Sequence, residues 1–118
     1  MSRSKLELLQ FIEAQRADYR CTLPEKVARI EALWQDVRQA DEAQDKLGVL
    51  ERMAHNLHGT AGTYGFRDLS HASHALELAV RALLDTGAPP TGAQQQQQQI
   101  AETINRVRLS LPSESSQG

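Results

Sequence analysis

Apolar residues recur at three- and four-residue spacing along almost the whole of this 118-residue chain. A helix turns once every 3.6 residues, so this spacing gathers apolar side chains on one face, and that face must be buried against another element. The length suits one compact domain with a single modest core. Aromatic residues make up only 4% of the chain, so the core rests on Leu, Ile, Val and Ala, a mix that favours helices packed on helices over a sheet.

Five helical segments follow. The first runs from about Ser4 to Tyr19, with Leu6, Leu9, Ile12 and Phe11 on its buried side. The second begins at Thr22, where Thr22 and Glu25 match a capping box and Pro24 occupies a first-turn position. Its stripe is Leu23, Val27, Ile30, Trp34 and Val37, ending near Ala40, and Trp34 reads as a core residue. The third spans about Asp41 to Tyr64 and the fourth about Asp68 to Asp85, with Leu69, Ala72, Ser73, Leu76, Val80 and Leu83 as core. Gly87, Pro89, Pro90 and Gly92 break the pattern. The fifth spans about Ala93 to Leu111 on Ile100, Ile104, Val107 and Leu111. The glutamine run Gln94 to Gln99 leads straight into it and reads as its exposed first turns. The expectation is an all-α fold: an antiparallel four-helix bundle over residues 1–112 with an additional N-terminal helix capping one end. Residues 113–118 would form a flexible tail or the start of a linker.

The charge balance, 13 Lys and Arg against 15 Asp and Glu, gives no basic face for nucleic acid. The single cysteine, Cys21, excludes an internal disulfide framework and a cysteine-based zinc finger, and reads as a loop or helix-end residue. No signal peptide is visible, and no stretch approaches the roughly 20 apolar residues of a membrane span. A cytoplasmic monomer that binds neither membrane nor nucleic acid is expected.

The third helix carries the chemistry. At about 100° per residue, Leu47, Leu50, Ala54, Leu57 and Ala61 fall within one arc of roughly 80°, the core face. Glu51, His55, His58, Gly59 and Gly62 fall on a flank about 100° round from it. His55 is therefore accessible, with a carboxylate one turn before it. A glycine within a helix costs about 1 kcal/mol relative to alanine, so two on one flank point to a surface kept bare for close approach. The alternative is that they end the helix early.

The run His55-Asn56-Leu57-His58-Gly59-Thr60-Ala61-Gly62-Thr63-Tyr64-Gly65-Phe66 resembles the phosphorylation-site motif of histidine phosphotransfer (HPt) domains, and Leu69-Ser70 and Leu76-Glu77 resemble the next helix of that family. The resemblance is strong over about Ala54 to Glu77 and elsewhere is one of helix pattern. It implies that His55 accepts a phosphoryl group and that Gly59 leaves room for it, with Glu51, His58, Gly62 and Phe66 neighbouring the phosphoryl group or the docked partner. The family usually carries Lys where this chain has His58, whose charge varies near neutral pH. No cofactor is implied on this chain, since receiver domains bring the aspartate and Mg²⁺. The partners implied are response-regulator receiver domains and a hybrid sensor histidine kinase. No nucleotide loop is present, so no autonomous kinase activity is expected.

Two other readings compete. His55-x-x-His58 and His71-x-x-His74 could pair across neighbouring helices as a metal site. Against this, His71 and His74 point away from the core of their helix, and no Asp or Glu is spaced to supplement them there, so no metal is expected. The bundle could also serve as an interaction scaffold without chemistry.

Overall fold

The computed structural model describes residues 3–39 and 43–112. It contains four α-helices, α1 (Arg3–Gln39), α2 (Gln44–Thr63), α3 (Arg67–Thr86) and α4 (Gln94–Leu109), with a 3₁₀ turn at Pro90–Gly92 before α4. No strand occurs among the described residues. The tail expected over 113–118 and the break expected near Asp41 lie outside them.

Every core position expected on α2 and α3 is buried: Leu47, Leu50, Ala54, Leu57 and Ala61 on one, Leu69, Ala72, Ser73, Leu76, Val80 and Leu83 on the other. On α4, Ile100, Ile104 and Val107 are buried, while Leu111 lies past the helix end and is half-buried. The glutamine run forms the start of α4, where Gln97 also donates its side-chain amide to the Pro90 carbonyl. Trp34 packs in the core.

Residues 64–66 turn the chain between α2 and α3 by a Schellman closure. Gly65 adopts φ 82°, its N–H reaches the Gly62 carbonyl, and the Phe66 N–H reaches the Ala61 carbonyl. Only a residue tolerant of the left-handed region fits that position without strain. So short a turn forces α2 and α3 antiparallel, which sets their flanking residues opposite one another.

The separate N-terminal helix does not exist as such. Residues 3–18 continue directly into the bundle helix, and Pro24 lies inside α1. The expected capping box is absent, because Thr22 Oγ1 donates to the Tyr19 carbonyl within the helix. The packing supplies the reason. Tyr19 lies one turn before Leu23 on the stripe that continues through Val27, Ile30, Trp34 and Val37, and all six are buried. Keeping Tyr19 in that stripe requires the helix to run through the proline. Tyr19 stacks on Tyr64 at 4.6 Å between ring centroids, and Arg16 donates to the Tyr64 carbonyl at 2.9 Å and covers the Phe66 ring. These contacts offset the roughly 3 kcal/mol that an interior proline costs. Pro24 is exposed, so water can reach the Arg20 carbonyl it leaves without a helical donor.

A second departure concerns the first turns of α1. Leu6, Leu9, Ile12 and Phe11, expected on a buried face, are all exposed, as is Leu8. Cys21 is likewise exposed, in mid-helix rather than at a helix end. At 1.5 Å per residue α1 is about 55 Å long and the other helices about 24 to 30 Å. The start of α1 therefore overhangs the bundle, in keeping with a long axis of 59 Å.

Pro24→Ala restores a helical N–H at an exposed position. Urea unfolding of this variant is expected to show a gain of about 1–3 kcal/mol. A loss would mean that the proline is fitted to a contact that alanine cannot make.

Candidate functional site

The flank of α2 that bears His55 faces the flank of α3 that bears Ser70, His74, Glu77 and Arg81. The contacts pair Glu51 with Arg81, His55 with Glu77 and His58 with His74, in step along two antiparallel helices. His55 stands exposed, with 66% of its side chain accessible, whereas Glu77 is 6% accessible. The His55 Nδ1 lies 3.0 Å from Glu77 Oε2. A carboxylate only accepts, so Nδ1 carries the hydrogen and donates it. The lone pair of the neutral ring is then on Nε2, at the outward end of an imidazole held at its other nitrogen.

A carboxylate this buried needs partners. Besides His55, the Arg81 guanidinium donates to Glu77 Oε2 at 3.3 Å, and His74 Nδ1 lies 3.6 Å from Oε1. Arg81 also donates through Nε to Glu51 at 3.1 Å. The Glu51 carboxylate, foremost, and Glu77 and Asp85 behind it hold the Arg81 guanidinium above its usual pKa, so it stays a cation.

His58 is held differently. Ser70 Oγ donates to the His58 carbonyl at 2.8 Å, which uses its hydrogen. The His58 Nδ1 lies 2.9 Å from Ser70 Oγ and 3.0 Å from the Ser70 carbonyl, so Nδ1 is the donor to both. The ring packs against that of His74 at 4.7 Å between centroids. His58 thus pins α3 to α2 through Nδ1, and in its neutral form presents a lone pair, not a donor, at Nε2.

The glycines divide. A methyl group on Gly59 would meet nothing within 4 Å, so the helix is bare one turn after His55. A methyl on Gly62 would stand 3.2 Å from Ser70 Oγ. Gly62 therefore serves the close approach of α3 to α2 rather than an open surface. Both lie inside α2, so neither ends the helix early. Phe66 is 9% exposed and packs with Tyr19 and Arg16 at the bundle end. Glu51 sits on the expected flank but engages Arg81 rather than His55.

Spacing on α2 left out Glu77, His74, Arg81 and Ser70. The signal was available on α3, where Ser70, His74, Glu77 and Arg81 recur at helical spacing down one flank. For a metal site, no Asp or Glu was expected at a spacing that would supplement His71 and His74. Glu77 does stand beside His74, but it serves orientation: among the described residues no three His, Cys, Asp or Glu side chains are grouped to hold a metal ion. His71 is exposed and joins none of these contacts.

On this helical bundle the His55 imidazole is accessible, fixed at one nitrogen by a buried carboxylate and followed one turn later by bare helix. The family model of the Hpt domain matches residues 16–110, and the chain belongs to that family. Searches of curated proteins and of solved structures returned no match. Hpt domains serve phosphotransfer in two-component relays and are phosphocarrier modules rather than kinases. Among the described residues no helix is long and apolar enough to cross a membrane.

The two glycines are separable by experiment. Gly59→Ala should raise stability by about 0.5–1 kcal/mol, the ordinary gain in an open helix position. Gly62→Ala should lose about 1 kcal/mol or more, because the added methyl presses on a hydroxyl held by two hydrogen bonds. Chemical denaturation of both variants checks this, and equal effects would contradict the distinction.

Proposed function

We propose that His55 is the phosphoryl acceptor of this domain, taking the group from an aspartyl phosphate of a receiver domain and passing it to another receiver. The observation that carries this reading is the hydrogen bond from His55 Nδ1 to buried Glu77, which in the neutral ring leaves the lone pair on Nε2 of an exposed side chain. In the transfer, the Nε2 lone pair attacks phosphorus. The bond from phosphorus to the aspartyl oxygen breaks, and the electron pair leaves with the aspartate carboxylate. The ring, now substituted at Nε2 and protonated at Nδ1, gains positive charge that faces the Glu77 carboxylate. The charge develops where a fixed counter-charge already stands, so little reorganisation is needed.

The remaining parts belong to the partner. The Mg²⁺ that offsets phosphoryl charge is supplied by the receiver domain, and this chain needs no cofactor of its own. A hybrid sensor histidine kinase in the cytoplasm is the source of the phosphoryl group. Gly59 and the bare surface around it admit the receiver. Beside His55 on the α1 side, Lys26 and Arg29 border a groove with Met53 and Asn56, and so offer positive charge to an acidic partner surface. His58 gives the phosphoryl group a donor at Nε2 only in its doubly protonated form, because Nδ1 is spent on Ser70, whereas a lysine ammonium would always donate.

Incubation with a phosphorylated receiver and Mg²⁺, followed by mapping of the modified residue, tests the assignment. His55→Gln is expected to keep the helical fold and lose all labelling, because an exposed side chain contributes little packing. Labelling at the wild-type level would refute the acceptor, and a folded wild-type domain that takes no label from any receiver would favour a scaffold.

Glu77 is expected to act as a positioning residue. Glu77→Ala should slow transfer roughly 10- to 100-fold, the scale of a misplaced reacting group, without weakening receiver binding. Glu77→Gln, which can still accept from Nδ1, should lose less. An unchanged single-turnover rate in Glu77→Ala would remove the carboxylate from the mechanism.

A further inference from the structure

We propose that the overhanging start of α1, residues 3–18, is a dimer interface that pairs antiparallel with the same segment of a second copy of this chain. This replaces the monomer expected from sequence and is independent of the role of His55.

Leu6, Leu8, Leu9, Phe11 and Ile12 are between 44% and 60% exposed, although they are the largest apolar side chains of the segment. At 100° per residue they cover an arc of roughly 220°, far wider than the stripe that one face of a bundle needs. Leu9 and Ile12 extend the line of Tyr19, Leu23, Val27 and Ile30, so the core stripe of the bundle continues into water with nothing against it. Four turns of isolated helix are marginal in water, and most helical stability comes from burial of an apolar face. The Hpt match begins at residue 16, so this apolar segment lies outside the part of the chain shared with the family.

A receiver docked at His55 does not reach it. Arg16 is level with Tyr64, nine residues beyond His55, and Leu9 is seven residues further out. At 1.5 Å per residue, Leu9 lies about 24 Å along the bundle axis from the reacting imidazole.

Self-pairing satisfies the pattern. With two copies antiparallel about Leu9, Leu9 meets Leu9 and Leu6 meets Ile12 twice, while Lys5 and Glu13 of opposite copies flank the seam at both ends. Opposite charges so placed favour that register over a parallel one. The tip of each extension also reaches the end of the partner's bundle, where Glu13, Arg16, Ala17, Arg20 and Phe66 border a crevice. Leu8 and Phe11 lie outside this seam. Leu6, Leu9 and Ile12, which face the partner in this register, hold roughly 270 Å² of accessible surface per copy, so pairing removes about 550 Å² of apolar surface, the small end of specific contacts. An interface of that size predicts a weak dimer, with Kd in roughly the high-micromolar range.

The test is sedimentation equilibrium of the full chain from about 10 μM to 1 mM. A concentration-dependent dimer is expected, and the double variant Leu9→Glu/Ile12→Glu should remain monomeric and helical with its phosphoryl acceptance unchanged. In a Cys21→Ser background, Leu9→Cys should form a disulfide between copies and Leu6→Cys should not. A wild-type monomer throughout that range overturns the proposal, as does a double variant that still dimerises. Cross-linking by Leu6→Cys at least equal to that by Leu9→Cys overturns the antiparallel register. A monomer that co-sediments with vesicles of phosphatidylcholine and phosphatidylglycerol would show a lipid surface to be the occupant instead.

Discussion

The Glu77 carboxylate, buried in the seam between α2 and α3, is the contact on which the site depends. A charge removed from water costs several kcal/mol unless it is paired and hydrogen-bonded. Here His55 and Arg81 both donate to it, and His74 stands nearby. A shift of α3 by one turn along α2 would separate Glu77 from His55, His74 from His58 and Arg81 from Glu51 together. The seam is thus locked in register by polar pairs on its flank, while Leu50, Leu57, Leu69 and Leu76 supply the burial that holds it shut. The same lock sets the tautomer of the exposed imidazole. Register and ring orientation are two consequences of one hydrogen-bonded carboxylate.

The close approach of the helices has its own devices. Gly62 lets Ser70 come within reach of the His58 carbonyl, and Ser70 spends its only hydrogen there. That leaves His58 to donate, which fixes a second imidazole in the seam. At the bundle end, Tyr19 lies 2.6 Å from Thr60 Oγ1, whose own hydrogen goes to the Asn56 carbonyl, so the phenol is the donor. Burial is the main cause that pushes the Tyr19 phenol above its ordinary pKa. The neutral form is the one the folded state favours. Its contribution to stability is therefore complete below the usual tyrosine range and lost as the pH rises through the raised value.

The core of α2, α3 and α4 was legible in the sequence because burial there follows a single period, and Leu47 to Val107 obey it with no exception that matters. His55 was legible as exposed for the same reason. Glu77 was not, because it lies at the edge of its helix's apolar arc and its partners are on another helix. Periodicity reports which way a side chain points, not what stands opposite. The turn at Gly65 fixes the pairing, and extending it along both flanks brings His55 to Glu77 without further information. The roles of Gly59 and Gly62 could not be told apart for a related reason: a glycine that admits a neighbouring helix and one that leaves an open surface cost the helix the same. The break expected at Thr22 and Pro24 failed because local signals met a stronger tertiary one. Tyr19 is anchored in the bundle end, and the helix cannot stop between it and Leu23.

The seam also bears on how a carrier can both take and give up its cargo. Glu77 shares its charge between the His55 ring and the Arg81 guanidinium, and Arg81 is shared in turn with Glu51. A lone buried carboxylate would pull strongly on Nδ1–H and would bind the charged, phosphorylated ring far more tightly than the neutral one, which would trap the phosphoryl group. With Arg81 already on the same oxygen, the carboxylate still orients the ring, but its preference for the cationic form is reduced by the neighbouring positive charge. The orientation is kept in both states because the helices that carry it are packed along their whole length. A nucleophile that must also become a leaving group, as proposed for His55, needs this combination of rigid placement and moderated charge stabilisation, and the Glu51–Arg81–Glu77–His55 chain of contacts would provide both.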